Sequence, residues 1–371
     1  MIRLNVPDIS EAEIEAAARA LRSGQLTQGQ ETLRFEETFA KLVGAKDGIA
    51  VSSATTGLEL ALRVLGIGPG DEVIIPDYSW PATGNAVVSV GATPIFADIS
   101  LDTFCMDASK VRGLVTARTR AIMPVHAFGH MADMEDLIAL SGELGLAVIE
   151  DAACAFGSSQ EGRSAGLWGD FGVFSFHPRK IVTTGEGGMV LASDSLNEQR
   201  ARLARTHGAK REGLFAEFDD FGFNFRISEM QAAIGTVQLE RSRELLATRR
   251  RKATSLLQLL DGIPGAQLPS EKQGFIHSFQ SFVVLLDKSI SRDDVVRRMA
   301  ARGIETTLGT YSMSSQKSFG RFRGDDPAKN LANSHFAFQH ALSIPLHTKL
   351  SETDLETINS ELRGALASCV F

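Results

Sequence analysis

The sequence predicts an α/β layer fold with a mostly parallel sheet, followed by a smaller α+β unit. Three observations carry the prediction. Short apolar runs alternate with amphipathic helical stretches through the first two thirds of the chain. Runs such as VIIP and LAVIED are apolar without alternation, as suits strands covered on both faces. Near Ile227 the alternation gives way to a long helical stretch with a charged face. A length of 371 residues, at roughly 100–200 residues per domain, suits two domains. We place them at 1–245 and 246–371.

Taken in order, Ser10-Glu11-Ala12-Glu13 reads as a capping box, with Ile9 and Ile14 placed as a hydrophobic staple. Ile14, Ala18 and Leu21 then line the apolar face of a helix ending near Gly24. Gly48 to Ser52 reads as a strand and Gly57 to Leu65 as a helix stopped by Gly66. Glu72 to Pro76 and Pro94 to Asp98 are strands flanking a helix at Ala82 to Val90. Ala121 to Val125 and Leu146 to Asp151 flank another at Met134 to Leu144. Phe171 to Phe176 and Gly188 to Ala192 form a pair around a glycine-rich turn. ISEMQAAIGTVQLERSRELLATRRRKATSLLQLL reads as one helical connector, and beyond Pro264 the elements suit the smaller unit.

Composition excludes several classes of function. With 38 Lys+Arg against 45 Asp+Glu, the net charge of −7 argues against coating nucleic acid or an anionic membrane. Arg249-Arg250-Arg251-Lys252 is read as a solvated helix face because Glu240 and Glu244 lie nearby. Cys105, Cys154 and Cys369 are odd in number and widely spaced, so neither a disulfide framework nor a metal motif is expected. No apolar run reaches the roughly 18 residues of a membrane span, and the first residues lack a signal-peptide layout. A soluble cytoplasmic protein is expected.

Four segments near strand carboxyl ends could carry chemistry, since ligands of open α/β sheets bind there. Ser52 to Gly57 joins a strand to a helix N-terminus that would suit a phosphate; its alternative is a plain turn with Thr55 or Thr56 as N-cap. Glu150-Asp151 ends an apolar strand, where a carboxylate either seeks a cation or caps the next turn. Lys180 follows an aromatic strand and precedes a glycine-rich turn; a partly buried amine there can form Schiff bases, though most lysines are solvated. Trp80 could stack on a flat ligand or simply pack in the core. Together they offer a phosphate cradle, an acid, an amine and an aromatic platform, which matches the needs of pyridoxal phosphate.

The segments GPGDEVIIPDYSWPATGNAV, GATPIFADI, VIEDAACAFGS, GDFGVFSFHPRKIVTTGEGGMV and GFNFRISEMQAAIG stand in this order. Through them the chain resembles the nucleotide-sugar aminotransferases of the DegT type, among the fold-type I pyridoxal-phosphate enzymes. The resemblance runs from about Ser23 to the C-terminus. It implies an aspartate-aminotransferase-like fold with a seven-stranded sheet. It also implies transfer of an amino group from L-glutamate to a keto group on a nucleotide-linked sugar, by an obligate homodimer with shared active sites. By the same resemblance Lys180 is the Schiff-base lysine and Asp151 pairs with the ring nitrogen. Trp80 stacks on the ring, Thr55, Thr56 and Ser175 hold the phosphate, and Asn224 reaches the phosphate of the neighbouring subunit. Cys154 stands where relatives often carry a Gln that bonds the ring hydroxyl, and Ala54 where they carry Gly. Tyr311 borders the sugar pocket by analogy, with His177 and Arg226 as further substrate-side residues. Related dehydratases carry His in place of the lysine, so Lys180 argues against that branch. The rival expectations are the same chemistry on a keto-cyclitol, and a non-catalytic cofactor-binding regulator.

Overall fold

A computed structural model describes residues 1–212, 215–218, 220–322 and 330–368. Cys369 lies outside them. Strands β1 (Ile49–Val51), β2 (Glu72–Pro76), the two-residue β3 (Tyr78–Ser79), β4 (Thr93–Ala97), β5 (Thr119–Ile122), β6 (Ala147–Asp151), β7 (Phe171–Ser175) and β8 (Gly188–Ala192) follow the predicted runs, except that β3 is unexpected and β5 begins two residues early. All but β3 form one seven-stranded sheet in the order β1-β8-β7-β6-β5-β2-β4. Six of its strands run the same way, and β8 runs against both of its neighbours. The expected mostly parallel α/β sheet is present.

Apolar residues without alternation bury both faces of the sheet. Ile74, Ile122, Val148 and Phe174 enter one core with Phe35 and Phe39. Val73, Ile75, Ile149 and Val173 enter another with Leu58 and Leu62. Helix α1 (Glu11–Ser23) precedes α2 (Gln30–Val43), which supplies the two phenylalanines of the first core. Helix α3 (Ala54–Val64) lies against β7 and β8. Gly57 permits that approach, because a Cβ there would meet Val173 at 2.8 Å. Helix α4 (Ala82–Ser89) follows β3, and a third core in the C-terminal part gathers Leu256, Phe282, Val295, Leu342 and Ile358.

Three local expectations need correction. The capping box of α1 forms, but Ile9, Ile14 and Leu21 are exposed. The buried face is Glu13, Ala16 and Ala20, facing helix α5 (Glu229–Glu240). Small residues allow close packing there, and Arg241 and Gln238 each donate to Glu13 at 2.7 Å. The long connector is two helices, α5 and α6 (Ser242–Leu259), parted at Arg241, whose guanidinium also reaches Asp8 at 3.0 Å. Nor is the basic run wholly a solvated face, although Arg251 is exposed. Arg249 and Lys252 are buried, donating respectively to the carbonyls of Phe279 and Gln280 and to those of Thr348 and Leu350. They fasten α6 to loops of the C-terminal core.

Helix α2 has no side-chain N-cap of its own at Gly29. Instead the buried Glu229 of α5 accepts from the N–H groups of Gly29 (2.7 Å), Glu31 (2.8 Å) and Thr32 (2.9 Å), and from the Thr32 hydroxyl. A carboxylate at a helix N-terminus satisfies both the free donors and the helix dipole. Glu229→Ala strands several of these buried donors and is expected to cost about 3 kcal/mol in chemical denaturation; a loss below about 0.5 kcal/mol would refute the clamp.

His130 and His277 are both buried where the loop after β5 meets the C-terminal half of the chain. Their rings lie edge to face at 5.5 Å; His130 stacks on Phe275 and His277 on Phe279. Burial holds both imidazoles below the usual histidine value, His277 well below, and their mutual proximity and the Arg250 guanidinium push the same way at His277. The unfolded chain therefore takes up protons from about pH 6.5 downward while the folded chain resists. Stability should fall as pH drops below about 6.5, and thermal melts of His277→Gln should show a shallower fall.

Candidate active site

The carboxyl ends of β6 and β7, the start of α3 and the β3–α4 corner converge on one region. Asp151 closes β6 and is buried. One carboxylate oxygen accepts from the Thr83 hydroxyl of α4 at 2.8 Å, the other from the Ala153 N–H at 3.2 Å. Thr83 spends its proton on Asp151, so the Ser79 hydroxyl, 2.9 Å away, donates to Thr83. Burial pushes the Asp151 carboxyl above its ordinary value. The hydrogen bonds from Thr83 and Ala153, then the charge of Lys180, pull it back. Sequence reasoning missed Thr83, a threonine among small residues in a helix 68 positions away.

Strand alternation separates Glu150 from Asp151. Glu150 is fully buried and accepts from the N–H groups of Gly166 (2.8 Å), Trp168 (2.6 Å) and Gly169 (2.9 Å). His126 accepts from the Ala132 N–H through Nδ1, so its proton sits on Nε2 and is donated to Glu150 at 2.9 Å. This fixes the loop before β7 and belongs to the scaffold.

Lys180 sits in the turn after β7, its N–H donating to the His177 carbonyl at 2.8 Å. Its amine donates to Cys154 Sγ at 2.9 Å. The two residues expected from sequence at this point are thus in direct contact. The Ser175 hydroxyl accepts from the His177 N–H at 3.4 Å, and His177 Nδ1 accepts from the Arg179 N–H at 3.2 Å. Burial keeps that ring below the usual histidine value, with Glu186 opposing and Lys180 and Arg179 assisting. His177 therefore shapes the turn that presents Lys180.

At α3 the N-cap is Ser53, not Thr55 or Thr56, because the Ser53 hydroxyl accepts from the Thr56 N–H and Thr56 returns the bond to the Ser53 N–H. The cap leaves the N–H groups of Ala54 and Thr55 at the helix start available to an anion. Gly188 of β8 lets the strand pass under this loop; a Cβ there would meet the Ala54 nitrogen at 2.7 Å. The Asn224 segment abuts the same cradle, since the Phe225 carbonyl accepts from the Ser52 N–H at 2.8 Å. Asn224 itself is exposed. Arg226 is half-buried and forms no ion pair among the described residues.

Trp80 is 59% exposed, an unusual state for an indole on a rigid strand end. Tyr311 meets it at 5.6 Å between ring centroids. Strand β9 (Tyr311–Ser312) brings it there by pairing with β3. The buried Asp77 secures that pairing by accepting from the Ser312 hydroxyl and the Ser314 N–H, each at 2.6 Å. The structure thus groups Asp151 with Thr83, Lys180 with Cys154, and Trp80 with Tyr311 around the α3 N-terminus. These residues fit pyridoxal phosphate: free N–H groups over a glycine-floored loop, a buried acid, an amine and an open aromatic face.

Comparison with known proteins agrees. The chain matches the DegT/DnrJ/EryC1/StrS aminotransferase family over residues 7–363. It is 37% identical over 341 residues to the GDP-perosamine synthase of Caulobacter vibrioides, covering 91% of each chain. Among solved structures, the aminotransferase TlmJ of Streptoalloteichus hindustanus is 34% identical with a TM-score of 0.93 over 99% of both chains. A Streptococcus pneumoniae protein described as a sugar aminotransferase, in its PMP form, is 25% identical with a TM-score of 0.95 over 100% of both chains.

Proposed function

Because the chain belongs to the DegT/DnrJ/EryC1/StrS aminotransferase family, we propose that it moves an amino group from L-glutamate to a keto group of a nucleotide-linked sugar, with pyridoxal phosphate as cofactor. The observation that carries this reading is the Lys180 amine and the Asp151 carboxylate at the ends of adjacent strands, beside a helix N-terminus that can take a phosphate. Pyridoxal phosphate, when bound, supplies a carbonyl for an amine and a ring that withdraws electrons.

The residues then have distinct tasks. Asp151, oriented by Thr83, offers a negative charge to the ring nitrogen. Lys180 bears the amine that engages the cofactor and afterwards carries protons at Nζ. Thr55, Thr56 and Ser175, with the α3 N–H groups, take the phosphate, and Trp80 offers its face to the ring. Cys154 stands at the ring-hydroxyl edge. Tyr311, Arg226 and His177 border the substrate, where Arg226, without an ion pair among the described residues, would meet an anionic diphosphate.

The large domain over 1–245, the small domain over 246–371 and a cytoplasmic setting belong to the same reading. So does a homodimer in which Asn224 serves the neighbouring site. Exposed apolar residues support association: Ile14 and Leu21 on α1, and Phe215, Phe218 and Phe221 in the segment before Asn224. No helix among the described residues is long and apolar enough to cross a membrane.

The test is nitrogen transfer from labelled glutamate to a panel of keto-sugar nucleotides and keto-cyclitols. Labelled amino-sugar nucleotide is expected. Transfer only to a cyclitol would move the substrate class, and transfer to neither would defeat the reading. For the shared site, Lys180→Ala and Asn224→Ala chains are mixed and allowed to exchange. Recovery of part of the wild-type turnover is expected, because one site of each mixed dimer keeps both residues.

A further inference from the structure

We propose that Cys154 and Lys180 form a redox-modification site, in which peroxide oxidises the thiol and the lysine amine then condenses with it to give a reversible S–N link. Its chemistry stands on geometry; its consequence for activity rests on the reading of Lys180 as the cofactor-binding lysine.

The Lys180 amine lies 2.9 Å from Cys154 Sγ, as close as the roughly 3–3.5 Å of a near-attack arrangement requires. Both residues are half-buried, so a small oxidant can reach the sulfur. Among the described residues each is the other's only side-chain hydrogen-bond partner. Cys154 is a free thiol, and the other described cysteine, Cys105, is buried in the core. An oxidised Cys154 therefore has an amine, rather than a second thiol, as its nearest nucleophile.

Cys105 supplies the internal contrast. Its sulfur donates to the carbonyls of Thr103 (3.4 Å) and His130 (3.6 Å) and accepts from the Ala127 N–H (3.4 Å). Burial pushes that thiol up to about 12, which keeps it protonated and unreactive.

The steps balance. Hydrogen peroxide transfers one oxygen to Cys154: the S–H and O–O bonds break, an S–O bond forms, and one water leaves. Sulfur is oxidised by two electrons and the peroxide is reduced. The Lys180 lone pair then attacks sulfur. The S–N bond forms, the S–O bond breaks, and the departing hydroxide takes a proton from nitrogen as a second water. A dithiol reverses the link by attacking sulfur, releasing the amine with the dithiol's proton, and closing to its own disulfide as Cys154 returns to a thiol. A linked lysine cannot engage the cofactor, and a lysine already engaged cannot condense. Oxidation is thereby directed to enzyme whose Lys180 amine is free.

The full-length protein stripped of cofactor is treated with hydrogen peroxide and digested without reductant. Mass spectrometry should find the Lys180 and Cys154 peptides joined, about 2 Da below their summed mass, and dithiothreitol should separate them. Cys154 present as a thiol or as sulfinic or sulfonic acid, with Lys180 free, would overturn the proposal. A second measurement follows the visible band of lysine-bound pyridoxal phosphate. Oxidation before cofactor addition should remove most of the band, dithiothreitol should restore it, and prior cofactor loading should prevent the loss. In Cys154→Ser the ratio of treated to untreated band should stay near one; an equal loss in that variant also overturns the proposal. A joined peptide in a protein whose untreated form never shows the band leaves the modification site standing and defeats the cofactor role of Lys180. A band with no joined peptide does the reverse.

Discussion

Lys180→Ala is expected to abolish the visible band that the wild-type protein forms with pyridoxal phosphate, and to lower turnover by at least roughly a thousandfold. The lysine supplies both a nucleophile and a proton carrier at the same atom, and loss of a positioned acid–base group alone costs about 10²–10⁴ in rate. The fold should survive. Nothing in the core depends on the side chain, whose one hydrogen bond among the described residues is to Cys154, while the turn is held by backbone bonds and by Gln280, which accepts from the Ile181 N–H at 3.0 Å. Matched circular dichroism with an absent band is therefore the expected pair of results. A variant that keeps the band would remove Lys180 from the chemistry.

Asp151→Asn is expected to give the second largest effect while preserving the site's shape. An asparagine carbonyl can still accept from Thr83, as Asp151 does at 2.8 Å, so the hydrogen-bond chain from Ser79 remains satisfied and only the longer 3.2 Å bond from the Ala153 N–H is given up. What disappears is the negative charge. An opposite charge at that range biases a ring nitrogen by about 1–3 pK units, or roughly 1.4–4 kcal/mol. Turnover should accordingly fall by about ten- to a thousandfold, with pyridoxal-phosphate affinity reduced and the unfolding midpoint scarcely moved. Unchanged turnover would show that the carboxylate is a strand-end cap. Asp151→Ala, which also strands the Thr83 hydroxyl, should lose stability as well.

The sheet was legible because continuous apolar runs have few alternatives to doubly covered strands, and β2 with Glu72, Val73, Ile74, Ile75 and Pro76 all buried is such a case. Asp151 and Lys180 were legible as polar residues ending or following such runs at strand carboxyl ends, while the roles proposed for them came with the family resemblance. Thr83 was not, since a single threonine in PATGNAV carries no periodic signal and its partner lies across the sheet. The errors share a cause. On α1, side-chain size was taken to mark the buried face, whereas close approach of α1 and α5 favours Ala16 and Ala20 over Ile14. In α6, charge was taken to mark solvent, whereas carbonyls from distant loops meet Arg249 and Lys252. Each outcome depends on what arrives from elsewhere in the chain.

Glu229 extends that dependence to the order in which the molecule assembles. An ordinary N-cap forms with its helix and frays with it. Here the donors of Gly29, Glu31 and Thr32 wait for a carboxylate some two hundred residues downstream, so the first turn of α2 has no local means of holding itself closed. Hydrogen exchange at the Glu31 and Thr32 amides should consequently report the separation of α2 from α5 rather than end-fraying. During synthesis that turn stays open until Glu229 has left the ribosome, which makes it a late clasp joining the beginning of the chain to its middle.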